Sequence, residues 1–522
     1  MGILLNPGNT EFQESLNSKI YVDKTMLIDY TNNVLRTAQK YICVSRPRRF
    51  GKSMAANMLT AYYSKGCDSR ELFSNYKIAQ TDSFEKHLNK YNVIHINMVQ
   101  YLTEAKNVEE MVKFIEEDII GDITDSMPDF VMPRRVTLTN VLDKVFIQLK
   151  VPFVFIIDEW DCIFRKNKSD AESQTLYLNF LRNLLKDQSY VALAYMTGIL
   201  PIKKYGEHSA INVFYEYSMT NAKPISEFTG FTEAEVIEIC KQYNKDYDEM
   251  KRWYDGYCLD GLSIYNPKSV VESIFRDSYS NYWTSTETYE ALKVYIQMNF
   301  DGLHDTVVRL LAGEKQVIDT TTFTNDMVTF NTKDDVLTLL VHLGYLTYNF
   351  ETKEVSIPNY EISEQFASTI KVMGWSEVAN SLKVSDELLK ATLNCNEEKV
   401  AELIEQVHQD NTSVLKYNDE NSIACVISLA YYTAQNRYIM HRELATGKGF
   451  ADLVFIPRKN VELPAIVVEL KHNKTSGAAI EQIKQKNYTE KIAQYTGEIL
   501  LVGINYDYDK GHSCVIEKFV KE

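Results

Sequence analysis

The 522-residue sequence has no pair of cysteines at a spacing typical of a zinc site or a redox motif. Its eight cysteines are scattered, as is usual for reduced thiols in a cytosolic protein. The sequence also lacks an apolar run of the ~18 residues that a membrane span needs. Its first residues show no basic region followed by an apolar run. We therefore expect a cytoplasmic protein with no signal peptide and no membrane segment.

A positive overall charge is also missing, since the formal net charge is −15. This excludes a protein coated with basic surface for nucleic acid, although a local basic patch can still bind DNA. No Gly/Ser-rich linker or low-complexity tract interrupts the chain. Because 522 residues exceed the size of a single hydrophobic core, we expect several domains packed together.

The order of apolar and amphipathic segments predicts an α/β multidomain protein. Buried-type strands near 41–45, 91–101, 151–161 and 190–200 alternate with helices, which indicates a mostly parallel sheet with helices on both faces. A helical lid follows over 222–320. Residues 321–408 are helical and contain a winged-helix-like unit over 334–368. Within the lid region, the aromatic segment "WYDGY" (253–257) is either a packed corner or a stacking surface for nucleic acid.

A basic turn ending in Gly-Lys-Ser lies between a strand and a helix in "YICVSRPRRFGKSMAANML" (41–59). In a phosphate loop, Gly51 lets the backbone approach the nucleotide, Lys52 reaches the outer phosphates and Ser53 binds Mg²⁺. The usual pattern has glycine where this chain has Arg46, so the start of the loop must take another shape. The alternative is a basic surface turn before a helix.

Two later segments favour the phosphate loop. "FVFIIDEWD" ends a buried strand in Asp158, which can order Mg²⁺, and Glu159, which can polarise an attacking water. Thr197 ends the next apolar strand, where it can sense the γ-phosphate. We also expect Arg48 or Arg49 to add positive charge near the phosphates, since residues 41–65 contain five cations and no acid.

The motifs "YVDKTMLIDY", "SRPRRFGKS", "FIIDEWD", "MTGILPIKKY", "WYDGY" and "YNPKSV" resemble, in order, the AAA-ATPase-like family of bacterial proteins. Many members carry a C-terminal PD-(D/E)xK nuclease domain. The resemblance implies an AAA-like P-loop ATPase domain at 1–221 and a restriction-endonuclease-like α/β domain at 409–522. It also implies that the RPRRFGKS form of the loop is shared with relatives. Lys203 or Lys204 could sense phosphate, and the sequence does not choose between them.

The C-terminal segment contains the Asp…Glu-x-Lys pattern of that nuclease superfamily. Strand side chains alternate between faces, so Glu469 and Lys471 lie on one face of their strand. A hairpin of 450–456 with 465–471 can bring Asp452 beside Glu469. Two carboxylates there can bind Mg²⁺, which activates water, while Lys471 steadies that water or the developing charge. Alone, such a pattern is weak, because an acid and a Glu-x-Lys on strands also occur by chance.

The resemblance implies further residues in the same cleft. Gln482, Lys486 and Tyr488 would face it from the next helix, and Glu420, with Asp419 as its neighbour, is the candidate for an additional metal ligand. Residues 441–491 contain nine cations and six acids, a locally basic region that fits contact with phosphate.

Three functional hypotheses follow from these motifs. The first is an ATP-binding, AAA-like ATPase coupled to an Mg²⁺-dependent nuclease that acts on DNA, with nucleotide serving as a switch. The second is a nucleotide-switched binding or signalling module whose nuclease-like domain binds without cutting. In the third, the ATPase region is an inert scaffold. All three hypotheses are compatible with an oligomer, and none of them involves a membrane.

Overall fold

The structure is a computed structural model of the whole chain. It describes residues 2–202, 211–283, 288–298, 300–325, 327–373, 375–411, 420–446, 449–459, 461–485 and 497–519.

The helices and strands alternate in the N-terminal third of the chain and again near the C-terminus. The helices in chain order are α1 (Thr10–Leu16), α2 (Met26–Val34), α3 (Lys52–Tyr63), α4 (Arg70–Phe73), α5 (Phe84–His87), α6 (Met98–Glu104), α7 (Val108–Ser126), α8 (Leu138–Leu149), α9 (Cys162–Lys166), α10 (Ala171–Leu185), α11 (Glu233–Gln242), α12 (Tyr247–Tyr254), α13 (Pro267–Phe275), α14 (Thr288–Ile296), α15 (Leu303–Leu311), α16 (Lys333–Leu343), α17 (Tyr360–Met373), α18 (Ser376–Leu393), α19 (Glu397–Asn411), α20 (Glu420–Ala430) and α21 (Ser476–Gln485). The strands are β1 (Tyr41–Ser45), β2 (Asn92–Asn97), β3 (Phe153–Asp158), β4 (Val191–Gly198), β5 (Tyr215–Tyr217), β6 (Phe231–Thr232), β7 (Tyr257–Leu259), β8 (Leu262–Tyr265), β9 (Gln316–Val317), β10 (Thr347–Asn349), β11 (Glu354–Ser356), β12 (Tyr438–Thr446), β13 (Gly449–Pro457), β14 (Ala465–His472), β15 (Ile499–Asp507) and β16 (Gly511–Phe519).

The chain divides into two compact units, one of residues 1–286 and 317–362 and the other of residues 287–316 and 363–522. The bounds of the four domains expected from the sequence stay a prediction, because the division into two compact units does not define them. Among the described residues, no helix combines the length and the apolar character that crossing a bilayer requires.

The first unit is built on a five-stranded parallel sheet with the order β2-β3-β4-β1-β5. Strands β1, β3 and β4 are buried along their whole length. Helices must therefore cover both faces, which explains why these strands are continuous apolar runs rather than alternating ones. Since parallel strands share one carboxyl edge, the residues that follow β1, β3 and β4 meet there.

Two smaller, three-stranded sheets lie between residues 231 and 356. One has the order β6-β8-β7 and the other the order β10-β11-β9. The segment from α16 to α17 runs helix, strand, strand, helix, as expected for a winged-helix-like unit. In "WYDGY", Trp253, Tyr254 and Tyr257 are buried, so this segment is a packed corner and not an open stacking surface.

The second unit contains a mixed five-stranded sheet with the order β12-β13-β14-β15-β16. Neighbouring strands are antiparallel except for β14 and β15, which run parallel. Helix α21, which lies between β14 and β15 in the chain, packs on this sheet. Gly503 of β15 permits the close approach, because a Cβ there would lie 2.3 Å from the carbonyl oxygen of Ser476.

Candidate functional site

The Gly-Lys-Ser turn begins helix α3 at the carboxyl edge of the parallel sheet. Gly51 occupies the N-cap position with φ +85°, a conformation that glycine adopts without strain. Lys52 is 5% exposed, and its Nζ donates hydrogen bonds to the carbonyl oxygens of Arg46 and Pro47 at 3.1 and 3.0 Å. The lysine is thus held inside the loop at the N-terminus of a helix, where an anion is favoured.

The electrostatics at Lys52 are set by burial and by nearby acids. Burial lowers the pKa of the Lys52 ammonium, and the carboxylates of Glu159, Asp158 and Asp161 partly offset that effect. A buried ammonium with limited solvation gains strongly from a polyanionic partner. The loop therefore has the charge and the position that a phosphate group needs.

Arg46, which stands where phosphate loops usually have glycine, is fully buried and turned into the unit. Its guanidinium donates to Thr229 Oγ1 at 3.0 Å and to the carbonyl oxygens of Ser45 and Tyr217 at 2.9 and 2.8 Å. Burial lowers its pKa to about 10. Arg46 has no positive φ, in agreement with the expectation that the loop starts in another shape. It ties the end of β1 to β5 and to the segment that follows.

Asp158 lies at the end of β3 and is hydrogen-bonded on both carboxylate oxygens. Ser53 Oγ donates to Oδ2 at 2.6 Å, and Thr197 Oγ1, at the end of β4, donates to Oδ1. The structure thus brings together three residues proposed from sequence on three different elements. A serine hydroxyl and a carboxylate in contact are hard oxygen donors, so this set fits a magnesium ion.

Glu159 has a partner that the sequence motif did not reveal. Its carboxylate forms an ion pair with Arg165 of α9, and Arg165 Nε lies 3.1 Å from Asp161 Oδ2. Asp161 is fully buried and accepts the backbone N–H groups of Ile199 and Leu200 at 3.1 and 2.8 Å. The only sequence signal was the i, i+4 spacing of Asp161 and Arg165.

The two arginines of the loop have different environments. Arg48 is exposed, whereas Arg49 is half-buried with φ +69°. The Arg49 guanidinium donates to the carbonyl oxygens of Tyr282 and Trp283 at 3.0 and 2.9 Å, and Trp283 Nε1 donates to the carbonyl oxygen of Arg48 at 3.1 Å. The basic turn is therefore a contact surface for residues 282–283. A role for either arginine beside phosphate stays a prediction.

Glu361 also binds residues 282–283, the segment that Arg49 contacts, and the sequence did not predict this role. It is 1% exposed and accepts the backbone N–H groups of Tyr282 and Trp283 at 2.7 and 2.8 Å. Ser269 Oγ donates to both of its oxygens. Burial raises the pKa of Glu361 to about 7, while those hydrogen bonds and the charge of Arg49 oppose the shift.

The second group of predicted residues lies on strands β13 and β14 of the other unit. The strand register pairs Leu453 with Val468, which places Asp452 opposite Glu469. Asp452 Oδ2 accepts the backbone N–H of Leu470 at 2.7 Å. The hairpin expected from the alternating pattern thus brings the two carboxylates to neighbouring strands, and their oxygens are ligands that suit a magnesium ion.

Lys471 and Gln482 surround the carboxylate of Glu469. Glu469 is 1% exposed and Lys471 is 7% exposed, and Lys471 Nζ lies 2.9 Å from Glu469 Oε1. Gln482 Nε2, from α21, donates to the same oxygen. Asp452, Glu469, Lys471 and Gln482 therefore converge on one face of the sheet beneath α21.

Several predicted residues lie outside the described part of the chain. These are Lys203, Lys204, Asp419, Lys486 and Tyr488. Glu420 is the first residue of α20, and its side chain is likewise not described.

Together, the parallel sheet with its Gly-Lys-Ser turn gives the first unit the fold of a P-loop NTPase. The mixed sheet with its Asp…Glu-x-Lys residues gives the second unit a nuclease-like domain. Residues 8–206 match the family model described as predicted AAA-ATPase, and residues 418–517 match that of the PD-(D/E)XK nuclease superfamily. The domain composition expected from the sequence motifs is confirmed.

The regions matched by similar proteins cover most of this chain, at low sequence identity. An uncharacterized protein in the vnfD 5′ region of Azotobacter chroococcum mcd 1 is 22% identical over 519 residues, which cover 94% of this chain and 93% of that protein. The Walker-type ATPase PABY2304 of Pyrococcus abyssi shows 11% identity and a TM-score of 0.34, over 66% of this chain and 94% of its own. The ORC2 protein of Aeropyrum pernix shows 11% identity and a TM-score of 0.31, over 68% of this chain and 97% of its own. These TM-scores are low, so the fold assignment depends on the chain's own sheet topology.

Proposed function

We propose that this chain is an ATP-binding and ATP-hydrolysing protein whose second unit is an Mg²⁺-dependent nuclease acting on DNA phosphodiesters. What supports the proposal is that the fold brings together two groups of side chains that these reactions would use. Lys52, Ser53 and Asp158 form the first. Asp452, Glu469 and Lys471 form the second.

At the first site, Lys52 would donate to phosphate oxygens beside the N-terminal N–H groups of α3. Ser53 and Asp158 would hold Mg²⁺, which neutralises charge on the phosphates when bound. Glu159 would orient the attacking water, and Arg165 holds that carboxylate until then. Thr197 fixes the second oxygen of Asp158 and so keeps the carboxylate oriented.

At the second site, Asp452 and Glu469 would hold Mg²⁺, which when bound lowers the pKa of a water molecule and polarises the phosphodiester. Lys471 would steady the water or the charge that develops on the phosphate. Gln482 restrains the Glu469 carboxylate. The locally basic stretch 441–491 supports DNA as the substrate, since neutralised phosphates contribute most of the non-specific binding of nucleic acid.

The test is cleavage of single- and double-stranded DNA by the wild type, Asp452→Ala and Lys471→Ala, each with Mg²⁺ or Mn²⁺. We expect cleavage by the wild type only. Equal cleavage by all three proteins, or none by the wild type on any substrate, would overturn the nuclease assignment. The alternative is a nucleotide-switched module whose nuclease-like domain binds without cutting, and loss of Mg²⁺ binding in Glu469→Ala, measured by calorimetry, would favour the enzyme over it.

A further inference from the structure

A second group of metal-ligand side chains lies in the second unit, between helix α19 and strand β16. Glu405 and His408 are three residues apart on α19 and therefore lie on one helix face. His512 is the second residue of β16. One ligand atom from each of the three side chains lies within 4.8 Å of the others.

The three side chains are already held together by direct contacts. Glu405 Oε2 accepts hydrogen bonds from His512 Nδ1 at 2.7 Å and from the His512 backbone N–H at 3.1 Å. The imidazole rings of His408 and His512 have centroids 5.0 Å apart and planes at 88°. Gln409 Nε2 donates to the other oxygen of Glu405 at 3.0 Å. The three side chains are thus already held close to one another.

The two histidine side chains of this group are shielded from solvent, whereas the Glu405 carboxylate is partly exposed to it. His408 is 4% exposed, the His512 side chain is fully buried, and the Glu405 side chain is 32% exposed. The ring of Tyr506 lies 4.5 Å from that of His408 and 4.9 Å from that of His512. A bound ion would therefore have protein on most sides and room for water beside Glu405.

The strand turn is shaped to admit the carboxylate. Gly511, the first residue of β16, has φ +73°. A Cβ at this position would lie 3.0 Å from Glu405 Oε2. A side chain here would therefore be strained by the backbone conformation and would also press on the carboxylate.

The protonation states suit metal binding. Burial lowers the pKa of His408 to about 4 and lowers the pKa of His512 as well, which favours the neutral imidazole that binds a metal. Burial acts to raise the pKa of Glu405, but hydrogen bonds from His512 and Gln409 outweigh it and leave the pKa below its ordinary value. Two neutral imidazoles and one carboxylate are a ligand set that Zn²⁺ and similar first-row ions prefer.

This group is separate from the Asp452 site. In the sheet, His472 pairs with Tyr506 and Tyr506 pairs with His512, so all three share one face. Lys471 precedes His472 and therefore lies on the opposite face, together with Glu469. The two groups are on opposite sides of one sheet.

We propose that Glu405, His408 and His512 bind one divalent transition-metal ion of the Zn²⁺ class, which fastens helix α19 to strand β16. The competing explanation is that the Glu405–His512 hydrogen bond alone joins the two elements. The two differ in outcome, because only a metal site makes the stability of the protein depend on added metal.

The test uses full-length Asp452→Asn protein, in which the other carboxylate site is disabled, and Co²⁺ as the probe. We expect one Co²⁺ to bind per chain with the visible d–d absorption of a low-coordinate nitrogen and oxygen site. Added Zn²⁺ should displace Co²⁺ and raise the thermal midpoint. Absence of Co²⁺ and Zn²⁺ binding in this protein would overturn the proposal whatever the variants do.

Variants in the same background identify the ligands. His408→Gln and His512→Gln should abolish the Co²⁺ absorption and the thermal shift, whereas His441→Gln, a histidine of β12 outside the group, should retain both. Where a histidine variant does not fold, Glu405→Gln decides, because its amide oxygen can still accept the His512 hydrogen bond. We expect Co²⁺ affinity to fall about tenfold or more in Glu405→Gln. Unchanged affinity in the folded variants would contradict the proposal.

Discussion

The two candidate sites both place a buried lysine beside carboxylates, but they are assembled over different distances along the chain. Ser53 and Asp158, which touch at the first site, are 105 residues apart. Leu470 and Asp452, which touch at the second, are 18 residues apart. The first site therefore depends on the correct packing of the whole parallel sheet, whereas the second depends mainly on one pair of adjacent strands.

The two lysines also differ in their partners. Lys52 donates to loop carbonyl oxygens, while Lys471 pairs with the carboxylate of Glu469. A lysine bonded to neutral carbonyls can turn to a phosphate without leaving a buried carboxylate unpaired, and an unpaired buried charge costs more than an unpaired carbonyl. A lysine paired with a buried carboxylate is held in a fixed position. The difference suggests a site that binds and releases its ligand at one end of the chain and a preorganised site at the other.

The largest expected effect is on cleavage. Glu469→Gln should lower the rate of DNA cleavage by about 10³-fold, because loss of a ligand to the activating ion removes several kcal/mol of stabilisation from the transition state. Single-turnover cleavage measures the change. The matched control is Glu481→Gln on exposed α21 surface, which should cleave like the wild type.

A smaller effect is expected on nucleotide affinity. Lys52→Ala should weaken ATP binding about 10- to 100-fold, since charge-assisted hydrogen bonds contribute roughly 1.5–3 kcal/mol. Calorimetry with ATP and Mg²⁺ measures the affinity. Lys65→Ala, which removes an exposed lysine just after the same helix, should bind ATP as the wild type does. Equal affinities for all three proteins would exclude Lys52 from the nucleotide site.

Arg46→Gly restores the glycine of the usual loop pattern, yet we expect it to harm the protein. The variant loses the buried hydrogen bonds to Thr229, Ser45 and Tyr217, so the free energy of unfolding of the first unit should fall by about 2–4 kcal/mol. Chemical denaturation measures this. Arg48→Gly, at an exposed position two residues later, should change it far less. A more stable Arg46→Gly protein would show that Arg46 is not a structural anchor.

A pH dependence, which only a series of measurements reveals, is expected at Glu361. Its pKa in the folded protein, about 7, lies above the ordinary value of 4.5, so folding binds a proton between these values. The stability of the wild type relative to Glu361→Gln should therefore decrease as pH rises from about 4.5 to about 7, by on the order of 3 kcal/mol, and stay constant above. Urea unfolding of both proteins across this range measures it. A difference that does not vary with pH would contradict the raised pKa.

The sequence predicted the local parts of both sites well. Strand alternation placed Glu469 and Lys471 on one face, and a hairpin was enough to bring Asp452 to them. The apolar run before Asp158 and the strand, loop and helix order around Lys52 predicted the carboxyl edge of a parallel sheet. Short sequence separation or a regular period governs each of these features.

What the sequence did not reveal depends on contacts between distant segments. Arg46 has the appearance of a defect in a phosphate loop until Thr229 and Tyr217 are seen to receive its hydrogen bonds. Glu361 reaches residues 282 and 283 across 79 and 78 positions, and no period in the sequence links them. Such partners become visible only when the fold is known.

The most direct test of the central claim, that the chain carries two separate reactive sites, is to measure ATP affinity and DNA cleavage on the same preparations of wild type and Glu469→Gln. The account predicts that Glu469→Gln binds ATP within about twofold of the wild type, because sites that share no residues behave independently in most cases, and that it cleaves DNA about 10³-fold more slowly. Undiminished cleavage by Glu469→Gln, or loss of its ATP binding, would contradict it.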